Sequence, residues 1–207
     1  MNDEKRNDIR VLSEEEFRRE AEPALRAVFA GIDPFDEPFA AEVKGRRILF
    51  EYWYELEHSL LDAVVEASSE LGESGFYVSI LDRPKPEEQK DPFHWYVPFR
   101  VIERYRGLVG PLKNAVYSPK GIWGIMGSYE HHGLLGGTPG FVARVESSVP
   151  GLDEQVYGFL ANWDYNRSNF DSAIDWLPRL LTHVYGDRRA AQLLEESGLG
   201  KRPLAGT

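Results

Sequence analysis

The chain has 207 residues, a formal net charge of −10 and no cysteine, which excludes a disulfide framework and thiolate metal sites. Apolar residues make up 42% and aromatics 13%, a composition for one well-filled globular core and not for a disordered or fibrous chain. No apolar run approaches the roughly 20 residues that span a bilayer, and the opening MNDEKRNDIR lacks an apolar signal region, so a soluble, cytoplasmic protein is expected.

In chain order, residues 1–12 read as a flexible charged N-terminus, 13–200 as a single α+β domain and 201–207 as a loose tail. Ser13 and Glu16 match a capping box. Phe17, Ala21, Ala24, Leu25, Val28 and Phe29 follow at helical spacing, with Pro23 predicting a kink or a break into two short helices. Residues 31–40, GIDPFDEPFA, form a proline-punctuated loop. From Leu49 to Leu71, apolar and acidic residues both recur every three or four positions, which predicts one long amphipathic helix closed by Gly72. Arg46 and Arg47 sit awkwardly at its start, since cations oppose the dipole there.

GFYVSIL from Gly75 reads as a strand, residues 82–92 as a solvated loop, and FHWYVPFRVI from Phe93 as a second strand, with Pro98 placing it at an edge or a bulge. GIWGIMGSY and GLLGG read as short strands whose glycines mark bends or close backbone approach. Thr138 and Pro139 start a helix, Asp153 caps EQVYGFLANW, Asp175 caps the next helix, and Asp187 caps RRAAQLLEES. The order spells α+β: a small mixed or antiparallel sheet flanked by several helices, with a long amphipathic helix in the first half.

The residues with most chemical potential are Ser128, Glu130, His131 and His132, in MGSYEHH. As metal ligands, Glu130, His131 and His132 lack the helical H-E-x-x-H spacing, and neighbours on a strand point to opposite faces. As a nucleophile, Ser128 lacks the G-x-S-x-G frame, because Glu130 stands where the second glycine belongs. A metal-dependent or histidine-based hydrolase centred on these residues is the alternative reading. The glycine runs match neither a dinucleotide nor a phosphate loop, so the sequence calls for no cofactor.

The charge divides unevenly: residues 1–103 hold 13 basic and 24 acidic residues, net −11, and residues 104–207 hold 11 and 10, net +1. An acidic half repels nucleic acid and steers a cationic protein. Asp33, Asp36 and Glu37 share the stiff loop with Phe35, and Glu51, Glu55 and Asp62 lie on the expected long helix. These seven residues are the candidate partner-binding surface, carboxylates beside aromatic anchors.

The stretch WGIMGSYEHHGLLGG, then TPGFVARVES, then EQVYGFLANW resembles bacterial immunity-type proteins of polymorphic or contact-dependent toxin systems, over residues 122–163. That resemblance implies a non-catalytic inhibitor that neutralises a toxin by covering its active surface. The expectation is therefore a protein-binding protein with a basic toxin or nuclease as partner and without nucleic-acid or membrane binding. A structural subunit of a phage-like or secretion assembly is a second alternative.

Overall fold

The computed structural model describes residues 9–52, 55–82, 92–110 and 112–200. Seven strands form one antiparallel sheet: β1 Arg10–Val11, β2 Gly45–Phe50, β3 Gly75–Ile80, β4 His94–Pro98, β5 Asn114–Tyr117, β6 Trp123–Gly127 and β7 His132–Gly137. Their order is β1-β4-β3-β5-β6-β7-β2. The helices are α1 Glu14–Glu16, α2 Glu22–Val28, α3 His58–Glu70, α4 Pro139–Ser148, α5 Gln155–Phe170, α6 Leu177–Tyr185 and α7 Asp187–Glu196. This is an α+β fold.

Helices cover both faces of the sheet. On the first face, α2, α5, α6 and α7 pack against Ile48, Tyr77, Ala115, Tyr117, Met126 and Leu134. On the second, α3 and α4 pack against Leu49, Phe76, Val78, Val116, Trp123, Ile125 and Leu135. Alternate residues of each strand thus enter different cores. Being covered on both sides, the central strands read as continuous apolar runs and not as an apolar–polar alternation.

The expected long helix is two elements. Gly45–Phe50 is the edge strand β2, paired with β7 from Gly45↔Gly137 to Phe50↔His132. Glu51 then adopts a left-handed conformation at φ 61°, and α3 begins only at His58. Ile48 and Leu49 go to opposite faces, so the apolar spacing that imitated a helix came from a strand buried on both sides. Arg46 and Arg47 are strand residues, and their clash with a helix dipole disappears. Trp53, part of the expected stripe, lies outside the described residues.

At the N-terminus, residues 1–8 lie outside the described residues, but the remainder of the expected flexible segment is ordered into the sheet. Arg10 and Val11 pair with Tyr96 and Trp95, and the buried Leu12 donates its N–H to His94 O at 2.9 Å. The Ser13 capping box is present. Pro23 falls in the first turn of α2, and Phe17–Ala21 widens into a π-helical stretch in which Glu22 N–H reaches Phe17 O. That wider turn absorbs the proline's missing donor.

β4 ends at Pro98, which pairs with Gly75, and the chain continues as a 3-10 stretch, Phe99–Tyr105. Most of the expected loop 82–92 and all of the expected tail 201–207 lie outside the described residues. Thr138 caps α4 by accepting Phe141 N–H at 3.3 Å. The other expected caps shift: a 3-10 turn, Leu152–Glu154, precedes α5, Trp176 precedes α6, and Gly186, at φ 77°, precedes α7. Asp153, Asp175 and Asp187 therefore do not occupy N-cap positions.

Candidate functional site

The turn between β6 and β7 holds the residues with chemical potential. Ser128 N–H donates to His132 O at 2.9 Å and closes the hairpin. Glu130 N–H donates to Ser128 Oγ at 3.0 Å, so the serine acts as a turn-former. Ser128 Oγ also lies 2.9 Å from His132 Nδ1, and His132 Nε2 lies 3.4 Å from the Pro34 carbonyl. A carbonyl only accepts, so the tautomer protonated on Nε2 suits both contacts, with Nδ1 accepting the serine hydroxyl.

Ser128 and His132 are 0% exposed. Phe35 meets the His132 ring edge-on at 5.0 Å and Phe159 lies at 5.1 Å. Burial among these rings pushes the imidazole pKa down to about 4, against the opposing pull of backbone hydrogen bonds to Pro34 and Glu130. The pair is a closed structural hydrogen bond with no room for a substrate. His131, at φ 57°, sits in the left-handed position of the turn and accepts Tyr52 N–H on its carbonyl at 3.0 Å. The two histidines and Glu130 thus have separate tasks. Among the described residues, no group of three or more histidine, aspartate or glutamate side chains is placed to hold a metal ion.

Loop 31–40 is firmly built. Asp33 Oδ1 accepts Phe35 N–H at 3.0 Å, and Ala30 and Gly31 both donate to Pro38 O. Phe39 N–H donates to His183 Nε2 at 3.1 Å. Burial and the neighbouring Arg46 push His183 down to about 4. Asp36 pairs with Arg179, whose Nε lies 3.9 Å from Glu37. Phe35 fills a socket formed by His132, Trp163 at 6.1 Å and Trp176 at 4.9 Å, with Tyr129 at 6.1 Å on its outer side.

The other candidate carboxylates lie elsewhere. Glu51 is exposed after β2, Glu55 accepts Gly107 N–H, and Asp62 is exposed on α3. Loop 31–40 packs on the first face and α3 on the second, so the seven residues form two separate groups. The wider acidic half is divided in the same way. Glu16 and Glu20 pair with Arg10, Glu22 pairs with Arg26, and Glu66 and Glu70 pair with Arg144 across the α3–α4 contact.

Sequence reasoning missed the aromatic cluster around Phe35 and the exposed rings beyond it. Trp163 and Phe170 are seven residues apart on α5, and that spacing was the available signal. A cleft beside Glu51, Tyr52 and Gln155 holds about 30 Å³, space for a water and not for an organic substrate. Comparison of the chain with protein-family models, with curated proteins and with solved structures finds no match.

Proposed function

We propose that this chain binds another protein without acting on it chemically, as an inhibitor that covers a basic partner such as a toxin nuclease. The observation that carries the reading is the contrast between the two candidate regions. Ser128 and His132 are sealed in the core and committed to each other, whereas loop 31–40 is a rigid, solvent-facing platform. Ile32 is 55% exposed and Tyr129 48% exposed beside the exposed Asp33, with Phe35, Asp36 and Glu37 anchored behind them. A preformed loop loses little conformational entropy on docking, and its carboxylates favour encounter with a cationic surface. The resemblance of residues 122–163 to immunity-type proteins points the same way.

The test is to purify the products of the neighbouring genes and measure their association with this chain from about 0.05 to about 0.5 M salt. A complex should form, with an association rate that falls about tenfold over that range. Asp33→Asn should slow association, because it removes a carboxylate without touching the core. A rate that stays level with salt overturns electrostatic steering, and the lack of any complex overturns the binding reading.

A further inference from the structure

α5 runs from Gln155 to Phe170, yet its buried residues are Val156, Phe159, Leu160 and Trp163. The last two turns, residues 164–170, contain no fully buried residue, although Arg167 is partly buried. Asn166, Ser168 and Asn169 are weak helix formers, and short helical segments gain most of their stability from packing. Local bonds hold these turns: Arg167 to Asp164 at 2.8 Å, and Asn169 Nδ2 to Tyr165 O at 2.8 Å. This extension carries the two most exposed large apolar side chains among the described residues, Phe170 at 68% and Tyr165 at 58%. Their rings meet at 5.9 Å and 70°, which leaves broad aromatic faces open to solvent.

Phe170, seven residues after Trp163, lies on the side of α5 on which Trp163 meets Phe35 and Trp176, whereas Tyr165 projects from the opposite side. Asp171 ends the helix at φ 53°. Asp171 and Asp175 are both exposed, and neither makes an ion pair with a described residue. Asp171 directly follows Phe170 and Asp175 comes four residues later; exposed aromatic faces with carboxylates close by in the chain suit a guanidinium or ammonium group, which can stack on a ring while pairing with an acid. A second copy of this chain is a poor occupant, because a symmetric contact through this end of α5 would set Asp171 and Asp175 of one copy against those of the other.

We propose that the projecting end of α5, with Tyr165, Phe170, Asp171 and Asp175, is a contact site for an arginine- or lysine-bearing segment of a partner protein. The site deepens the protein-binding reading and rests on it. The probe is a short blocked peptide of alternating glycine and arginine, titrated into the isotopically labelled full chain with backbone amide shifts as the readout. The largest shifts should fall between residues 164 and 176. Tyr165→Ala/Phe170→Ala and Asp171→Asn/Asp175→Asn should each weaken binding about tenfold. Melting temperatures should stay close to the parent value, since neither pair contributes to a core.

Shifts centred on α1–α2 or α3, no shift at all, or unchanged affinity in both double variants would overturn the site. The natural complex separates the two claims. A complex that forms equally well with Tyr165→Ala/Phe170→Ala removes this site and leaves the binding reading intact. Peptide shifts at residues 164–176 without any natural complex support the cation site and remove the inhibitor reading.

Discussion

His132 brings a polar ring into an aromatic core, and Ser128 and the Pro34 carbonyl offset the cost of desolvating it. Its folded pKa of about 4 lies below the ordinary value of 6.5. The unfolded chain therefore binds a proton through that interval while the folded chain does not. Stability from this residue is complete above about pH 6.5 and declines as the pH falls toward 4, with a full span on the order of 3 kcal/mol. His183, lowered to about 4 by burial and by Arg46, changes in the same direction. Urea unfolding between pH 7 and pH 4 should show the decline, and Ser128→Ala/His132→Phe should flatten it. A slope unchanged in that variant would assign the effect to other groups. The strand glycines were legible as points of close approach: a Cβ on Gly136 would stand 2.2 Å from the Phe39 ring, and one on Gly124 2.7 Å from Phe29. The role of His132 was not legible, because its partner Pro34 is 98 residues away.

Among the elements, β2 lies at the edge of the sheet and carries backbone donors with no strand beyond them. Side chains occupy them: Ile48 N–H donates to Tyr185 Oη at 3.2 Å, and Phe50 N–H to Gln155 Oε1 at 2.9 Å. An open edge of this kind recruits other chains, and these two acceptors occupy donors that another strand would otherwise use. Tyr185→Phe should cost about 1–2 kcal/mol in chemical denaturation, and adding Gln155→Leu should produce concentration-dependent association visible by light scattering. A double variant whose light scattering matches the parent's at all concentrations would show that α5 and α6 shield the edge by bulk alone. The same strand marks the limit of sequence reading. A helical repeat and a doubly buried strand give similar apolar spacing over six residues, and β7, which distinguishes them by pairing, is remote in sequence. Strands β3, β4, β6 and β7 were readable from the local sequence. β1 and β2 depend on such distant pairing, whereas β5, which no expected strand covers, is joined to β6 by a short turn at Ser118–Gly121.

In the whole molecule, one sheet separates two cores. Trp123 is buried with α3 and α4 on the second face, and Trp163 with α5 and α6 on the first. Since every central strand contributes side chains to both, neither core can dissolve without exposing the reverse side of the sheet. In one denaturant titration of the parent chain, backbone amide signals from α3 and α4 and from α5 and α6 should give coincident midpoints, as expected of a single cooperative unit. Midpoints that separate would show two independently melting layers. The charge asymmetry was readable in the sequence, but its arrangement was not. Arg144, from the second half of the chain, reaches Glu66 and Glu70, a neutralisation that composition does not reveal.

The sheet order also bears on how the nascent chain emerges from the ribosome. β2 is the second strand to be translated, yet its neighbour β7 follows about 80 residues later. At translation speeds of about 5–20 residues per second, β2 waits roughly 4–16 s without its partner. A waiting apolar strand invites clumping, and the consecutive arginines at 46 and 47 serve as charged gatekeepers beside Ile48 and Leu49 during that interval.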